Sequence, residues 1–302
     1  MTWSELIKDG AEALRSGTID EARTNAEYLA AFVLHIWNRS ELREHLSREV
    51  SSFDTVTYNS LIERRIKGEP LQYIVGETEF FGLRLYTTPA ALIPRPETEI
   101  LVEEAIKELL KIATPELRPH VLDIGTGTGA IALAIAKSLP GADVVGIDLS
   151  AEAVALARKN LERLNLSNVE FAQVDLFDEM LQSKLGVKFD LIASNPPYIS
   201  ISEMRKLPQS ILEYEPRIAL TDESLGLSFY ERIGEIARVT AFTGSPVLLE
   251  LGYDSREQIV EILATHGIEC GRIVKDLAGI DRVFVGSISF GGYQNTSKFP
   301  IE

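Results

Sequence analysis

Residues His120 to Ala136 read H-V-L-D-I-G-T-G-T-G-A-I-A-L-A-I-A, and this stretch decides the fold class. The apolar residues before Gly125 are typical of a buried strand, and the alanine, isoleucine and leucine after Gly129 are typical of a helix. Between them the spacing G-x-G-x-G allows a tight turn that a ligand can approach closely. The stretch therefore predicts a strand, a glycine loop and a helix, which together form a nucleoside-binding turn.

Acidic residues follow the next two predicted strands. The strand Asp143 to Ile147 is followed by Asp148, nineteen residues after Gly129, where nucleotide-binding folds place an acid that binds ribose hydroxyls. The strand Val169 to Val174 is followed by Asp175, which is placed to accept a hydrogen bond from an adenine amino group. These acids could also be ordinary turn and cap residues. Their joint spacing favours a nucleoside site at one sheet edge.

A second distinctive stretch is Phe189 to Ser200, which reads F-D-L-I-A-S-N-P-P-Y-I-S. A short buried strand is followed there by a turn that offers acceptors and few donors, because proline has no N–H. The oxygens of Asn195 and Pro196 can hold both hydrogens of a planar NH2 group, and the Tyr198 ring can lie against its flat face. A plain turn that ends a strand would use the same residues. The pattern favours a site for an amide or an exocyclic amine.

Composition limits the possible functions of the 302-residue chain, whose formal net charge is −15. That charge disfavours a phosphate backbone as partner, so we expect no direct nucleic-acid binding. One cysteine excludes an internal disulfide, and four scattered histidines predict no metal site. No apolar run is long enough to span a membrane, and the N-terminus lacks the apolar core of a signal peptide. We therefore expect a cytoplasmic protein without membrane contacts.

The pattern along the chain predicts four segments. Residues 1–68 form a small helical domain, with capping-box spacings at Thr2 to Glu5 and Thr18 to Glu21. Residues 69–93 form a β-hairpin that links two domains, since β-rich residues alternate there around turn glycines. Residues 94–289 form the nucleoside-binding domain, and the tail 290–302 is expected to be flexible.

Within the second domain, strands and helices alternate from Val121 to Leu251. This alternation predicts an α/β fold with a mainly parallel, Rossmann-like sheet, and the short-turned final strand pair predicts one antiparallel edge strand. The polar segment Ile201 to Glu223 is expected to be a long ordered loop that covers the site.

Arg95 lies between two prolines in L-I-P-R-P-E-T-E. A guanidinium held in this way has little freedom and is suited to orienting a carboxylate or carbonyl of a substrate, although a solvated surface side chain is an equal alternative. The following residues Pro96 to Glu99 are good helix-start residues, which predicts a helix from Thr98 to Ile112.

Four of these motifs together resemble one family. The segments N-P-P-Y, D-I-G-T-G-T-G, P-L-Q-Y-I-V-G-E-T-E-F-F-G and above all L-I-P-R-P-E-T-E are similar to those of the bacterial peptide chain release factor glutamine methyltransferases, the PrmC/HemK family. The resemblance covers about Leu6 to Gly286. It implies a class I methyltransferase fold and transfer of a methyl group from S-adenosylmethionine, which leaves S-adenosylhomocysteine. The acceptor would be the side-chain nitrogen of the glutamine in the Gly-Gly-Gln motif of class 1 release factors.

The resemblance also assigns residues. The donor-binding set would be Gly125, Thr126, Gly127, Thr128, Gly129 and Asp148, and the substrate glutamine would be held by Asn195, Pro196, Pro197 and Tyr198. Their positions in the sequence, rather than the resemblance, add Asp175, Leu176 and Asn195 as candidate donor contacts and Arg95 as a candidate substrate contact. Of these, Asn195, Pro196 and Tyr198 would be catalytic, because the reaction depends on positioning the amide nitrogen. Leu176 departs from the pattern, since some relatives carry an aromatic residue over the adenine at this position.

Three alternatives share part of the pattern. A glutamine methyltransferase that acts on a ribosomal protein also carries N-P-P-Y, whereas P-R-P-E-T-E favours the release factor. A DNA or RNA amino-methyltransferase would use the same amine chemistry, but the acidic charge and the absence of a basic recognition segment argue against it. A nonenzymatic nucleoside sensor would use the glycine loop alone and would leave the acceptor-rich turn unexplained.

Overall fold

A computed structural model describes residues 1–37, 39–112, 114, 117–178, 181 and 185–289, so the tail 290–302 lies outside the described residues. The N-terminal region contains helices α1 (Trp3–Ser16), α2 (Ala22–Val33) and α3 (Ser52–Ile66), with a 3-10 helix at Arg39–Glu44. Their apolar faces bury Ile7, Leu14, Leu29 and Tyr58 almost completely. The helical nature of this region is as the sequence predicts.

The two predicted capping boxes have different outcomes. At α1 the Thr2 side chain accepts from the Glu5 backbone N–H, and the Glu5 carboxylate accepts from the Thr2 N–H, which confirms the first box. The second is wrong, because α2 begins after Glu21, whose φ is 49° and whose side chain makes no cap.

The linker is partly helical, which corrects the prediction of a hairpin over 69–93. Residues Leu71–Val75 form a short helix α4, and only β1 (Glu77–Phe80) and β2 (Leu83–Tyr86) pair as an antiparallel hairpin. Ile74 of α4 is 4% exposed and joins the core of the N-terminal helices, so burial decides against an extended strand there. The linker thus completes the core of the first domain.

The second domain contains a seven-stranded sheet. Its strands are β3 (His120–Ile124), β4 (Asp143–Asp148), β5 (Val169–Gln173), β6 (Leu191–Ser194), β7 (Pro246–Glu250), β8 (Ile268–Lys275) and β9 (Asp281–Ile288). The spatial order is β5-β4-β3-β6-β7-β9-β8. Strands β3 to β7 are all parallel to one another, whereas β9 runs antiparallel to β7 and to β8. The predicted mainly parallel sheet with an antiparallel edge is confirmed.

Helices cover both faces of the sheet. They are α5 (Thr98–Ile112), α6 (Ala130–Ser138), α7 (Ala151–Leu164), α10 (Ser228–Thr240) and α11 (Arg256–Thr265). Neighbouring strand residues face opposite layers, as Val121 packs with α5 to α7 and Leu122 packs with α10 and α11. The buried sheet explains why its strands read as continuous apolar runs.

The segment after β6 contains short helices, where the sequence predicts a long ordered loop. It forms α8 (Ile201–Met204), α9 (Gln209–Tyr214) and a 3-10 turn at Arg217–Ala219. A capping box between Ser200 and Glu203 starts α8, and Pro208 precedes α9. We call residues 201–223 the cover segment. Across the described ranges, no helix has both the length and the apolar character needed to cross a membrane.

Candidate active site

A cavity of about 600 Å³ opens at the carboxyl ends of β3, β4 and β6. Parallel α/β sheets bind ligands at this edge, where the strand order reverses direction. Four parts of the chain meet there, namely the glycine loop, the strand-end acids, the Asn-Pro-Pro turn and the cover segment. Predicted site residues in its wall are Arg95, Gly125, Thr126, Gly127, Thr128, Asp148, Asp175, Leu176, Asn195, Pro196 and Pro197.

The glycine loop has two kinds of glycine. Gly125 and Gly129 both have positive φ, at 71° and 84°. A Cβ on Gly129 would lie 2.9 Å from the Phe171 ring, so this glycine allows α6 to pack closely on the sheet. A Cβ on Gly125 would meet nothing closer than the Asn195 carbonyl oxygen at 4.0 Å. Gly125 therefore leaves open space between the glycine loop and the Asn-Pro-Pro turn.

A buried acid under the loop fixes its shape. The Thr126 hydroxyl donates to Asp123 Oδ2 at 2.6 Å, and the Ala132 N–H donates to the same oxygen at 3.2 Å. Asp123 is fully buried, and its Oδ1 has no hydrogen-bond partner in the described part of the chain. Burial raises the pKa of Asp123 to about 7, against the lowering effect of these hydrogen bonds. The sequence reasoning missed this residue, although it is an acid in an apolar strand.

Asp148 is oriented by its own loop. Its Oδ2 accepts from the Gly127 N–H and its Oδ1 from the Ser150 N–H, both at 2.9 Å. Each oxygen keeps a second lone pair. Because the carboxylate is half-buried at the cavity wall, it is held ready for further donors such as a pair of hydroxyls.

The third strand end presents an apolar wall. Asp175 Oδ1 accepts from the Phe177 N–H at 2.8 Å, which forms the turn after β5. Leu176 is 7% exposed, whereas Phe177 is 50% exposed and its ring meets Phe229 edge-on with centroids 5.5 Å apart. Phe177 and Phe229 both line the cavity beside Leu176, and Phe229 is a lining residue that sequence reasoning missed.

The Asn-Pro-Pro turn begins at the end of β6. The Asn195 Nδ2 donates to Thr98 Oγ1 at 3.1 Å, which ties the amide to the first residue of α5. Among the described residues no donor is paired with Asn195 Oδ1. Pro196 and Pro197 continue the cavity wall without presenting an N–H. The turn therefore offers the acceptors that the sequence predicts.

Tyr198 lies behind this wall. Its hydroxyl donates to Glu250 Oε1 at 3.2 Å, and burial raises its pKa, so the phenol keeps its proton. In the described chain the cavity lining includes Pro197 and stops short of Tyr198. A direct contact between the Tyr198 ring and a substrate amide stays a prediction.

Arg95 connects the P-R-P-E-T-E segment with the cover segment. Its Nη2 lies 2.6 Å and 2.8 Å from the two carboxylate oxygens of Glu215, whose side chain is only 2% exposed. Arg95 also lines a second cavity of about 930 Å³, between the N-terminal helices, the hairpin and α9. The guanidinium thus pairs with a carboxylate of this chain, and a contact between Arg95 and a substrate stays a prediction.

Asn160 of α7 is a further residue that the sequence reasoning missed. It is completely buried, accepts from the Tyr86 N–H, and donates to the carbonyl oxygens of Tyr86 and Thr128. The hairpin is thereby attached to the glycine loop.

Comparisons with known proteins agree with this geometry. Residues 5–76 match the family model of the PrmC N-terminal domain, and residues 118–250 match a methyltransferase domain model. The release factor glutamine methyltransferase of Aliivibrio fischeri is 38% identical over 281 residues, covering 93% of this chain and 95% of that protein. The one from Geobacter sulfurreducens is 40% identical over 271 residues, with 89% and 91% covered.

A methyltransferase crystal structure from Pyrococcus furiosus is similar in fold. Its TM-score is 0.50 at 20% sequence identity, with 68% of this chain and 89% of that chain covered. This likeness supports the architecture of the second domain.

Proposed function

The chain belongs to the family of release factor glutamine methyltransferases, and from this premise we propose its reaction. It transfers the methyl group of S-adenosylmethionine to the side-chain nitrogen of the glutamine in the Gly-Gly-Gln motif of class 1 release factors. The observation that carries this proposal is the turn at Asn195 to Pro197, which is rich in acceptors, has few donors and lies with the glycine loop in the wall of one cavity.

The cavity fits the methyl donor. S-adenosylmethionine supplies an electrophilic methyl group on a positively charged sulfur. In the proposal, Gly125 leaves room for the methionine part of the donor, and Asp148 accepts hydrogen bonds from the ribose hydroxyls. Asp175, Leu176 and the exposed Phe177 ring enclose the adenine. Few cationic side chains line this cavity in the described chain, which suits a cationic donor.

The acceptor turn addresses the chemical difficulty of the reaction. An amide nitrogen is a poor nucleophile, because its lone pair is delocalised into the carbonyl. Asn195 Oδ1 and the Pro196 carbonyl accept the two N–H bonds of the substrate amide, which fixes the direction of the nitrogen. The same oxygens stabilise positive charge as it develops on that nitrogen. The methylated nitrogen is strongly acidic and releases its proton to water.

Affinity for a whole protein needs a larger surface than one amide pocket. The second cavity borders the N-terminal helices, the hairpin and α9, and it shares Arg95 with the catalytic cavity. We therefore assign recognition of the release factor to residues 1–68 together with the hairpin, and chemistry to residues 94–289. A release factor bound along the second cavity would bring its Gly-Gly-Gln loop past Arg95.

The net charge of −15 supports a protein rather than a nucleic acid as the partner. The cytoplasm is the proposed compartment, because release factors act on the ribosome there.

Recognition and chemistry can be tested separately. Tyr28 lines the second cavity and is 43% exposed, whereas Phe53 lies outside it and is 78% exposed. Tyr28→Ala is expected to raise KM for an intact release factor by about tenfold and to leave KM for a short Gly-Gly-Gln peptide unchanged. Phe53→Ala is the matched control. Equal effects of Tyr28→Ala on peptide and protein would place recognition elsewhere, for example in the cover segment.

The substrate class is tested with a panel of release factor, ribosomal protein and DNA, each incubated with methyl-labelled donor. Label on the release factor alone is the expected result. Label on the ribosomal protein or the DNA instead would overturn the proposal.

A further inference from the structure

We propose that Glu250 is a positioning residue, which sets the orientation of the Asn195 amide through the Thr98 hydroxyl and holds Tyr198 behind the same turn. This inference rests on the proposed function, because it assigns a cause to the acceptor character of the Asn-Pro-Pro turn. Glu250 ends β7 next to β6, and it is only 1% exposed.

The contacts of Glu250 form a connected chain. Its Oε2 accepts from the Thr98 hydroxyl at 2.6 Å, and Thr98 Oγ1 accepts from Asn195 Nδ2 at 3.1 Å. Thr98 is 4% exposed, so these bonds are largely shielded from water. A carboxylate that accepts from a hydroxyl in a buried site holds it more strongly than a neutral acceptor would.

Counting protons shows why the chain fixes the amide. The Thr98 hydroxyl has one proton, which it donates to the Glu250 carboxylate, so only lone pairs of Oγ1 remain for Asn195. The NH2 end of the Asn195 amide must therefore face Thr98, and Oδ1 must face the other way. Without Glu250 the hydroxyl could donate to Asn195 instead, and the amide could turn its NH2 towards the substrate. In that orientation the NH2 donors of Asn195 would face the NH2 donors of the substrate amide.

The second oxygen of Glu250 holds the other end of the turn. Oε1 accepts from the Tyr198 hydroxyl at 3.2 Å, and a Cβ on Gly252 would lie 3.1 Å from the Tyr198 ring. The Tyr230 hydroxyl donates to the Glu250 backbone oxygen at 2.7 Å, which fixes the end of β7. One acid thus contacts Tyr198 after the two prolines directly and acts on Asn195 before them through Thr98.

The ionised form of Glu250 is the one that accepts from both hydroxyls. Burial raises its pKa, while Thr98, Tyr198 and the positive charge of Arg282 on β9 act in the opposite direction. Glu97 is the facing group that disfavours ionisation. Among the described residues, the Glu250 carboxylate accepts hydrogen bonds from two hydroxyls and from no N–H group. Each carboxylate oxygen therefore acts as an acceptor for one hydroxyl.

Thr98→Val tests the relay in the full-length protein, because valine keeps the volume of threonine and removes the hydroxyl. We expect kcat on a Gly-Gly-Gln peptide to fall by about 10²-fold, because the Asn195 amide is then no longer held in its productive orientation. The donor Kd, measured by calorimetry, should change less than threefold. Thr98→Ser restores the hydroxyl and should recover most of the lost turnover.

A matched control is Thr240→Val. Thr240 is 2% exposed, and its hydroxyl donates to the Ile236 carbonyl within α10, far from the turn. This variant loses one buried hydrogen bond as Thr98→Val does, yet its kcat should equal that of the wild type. A fall in kcat for both valine variants would indicate a general loss of stability and would overturn the positioning role.

Glu250→Gln provides the second test. A glutamine must place an NH2 donor towards Thr98 or Tyr198, so one of the two contacts is reversed. We expect a lower kcat at unchanged donor Kd. Wild-type turnover for Thr98→Val and Glu250→Gln would refute the relay and leave the reaction intact, whereas failure of the wild type to methylate the peptide would refute the proposed function itself.

Discussion

Replacing Asn195 by alanine removes the only side-chain oxygen of the Asn-Pro-Pro turn. The transition state loses one preorganised partner of the developing charge, which typically costs about 10²- to 10³-fold in kcat, or about 2.7 to 4 kcal/mol. The 3.1 Å bond to Thr98 is lost as well, at a cost of about 0.5 to 1.5 kcal/mol in folding free energy. Because Asn195 Oδ1 is assigned to the acceptor amide, donor affinity should stay within a few-fold.

Two measurements on the alanine variant separate these effects. Single-turnover kinetics with a Gly-Gly-Gln peptide give the rate of methyl transfer, and calorimetry gives the donor Kd. Asn168→Ala is a suitable control, because Asn168 is also half-buried and its Nδ2 bonds carbonyl oxygens at the opposite sheet edge. It should lose stability without losing turnover. If donor affinity of Asn195→Ala collapsed together with turnover, Asn195 would be mainly a donor-binding or folding residue.

Three further substitutions test other parts of the site. Asp148→Ala should weaken donor binding by about 1.5 to 3 kcal/mol in calorimetry, since it removes the ribose acceptor; unchanged affinity would refute that assignment. The pKa of Asp123 is raised to about 7 in the folded wild type, so the wild type loses stability as pH rises towards and through that value. The free energy of unfolding of Asp123→Asn, relative to the wild type, should therefore increase by about 1 to 3 kcal/mol from pH 5 to pH 8. A difference that is independent of pH in urea unfolding would contradict this. Glu215→Gln should speed hydrogen exchange in Gln209–Tyr214 by about tenfold, since Arg95 then holds the cover segment less strongly, and equal exchange would show that this ion pair does not hold it.

The strand, loop and helix at His120 to Ala136 could be predicted because their information is local. Apolar runs, glycines with positive φ and a helix of small residues all lie within one short stretch. The strand-end acids could be predicted for a similar reason, since parallel strands bring their carboxyl ends to one edge. Local patterns are therefore sufficient for the sheet and for the backbone of the site.

The side-chain network could not be predicted in the same way. Thr98 and Glu250 lie 152 positions apart, and Arg95 and Glu215 lie 120 apart, so nothing in the local sequence indicates their contact. Thr98 could be read as a helix-start residue alone, which it also is. Such pairings are decided by tertiary packing.

The linker shows the limit for short apolar runs. Residues Leu71–Val75 are compatible with a strand or a helix by their pattern, and burial of Ile74 against the N-terminal helices decides for the helix. The cover segment contains short helices where the sequence predicts a loop, and the spacing of Ser200 and Glu203 is a local signal that indicates the start of α8.

In the proposed reaction, the Asn-Pro-Pro turn presents a glutamine amide of a release factor for methylation. The most direct test of this proposal is mass spectrometric location of the methyl group after incubation of the full-length protein with S-adenosylmethionine and an intact class 1 release factor. We expect one methyl group on the side-chain nitrogen of the Gly-Gly-Gln glutamine, and none when that glutamine is replaced by glutamate. A methyl group on any other residue, or continued methylation of the glutamate variant, would contradict the proposal.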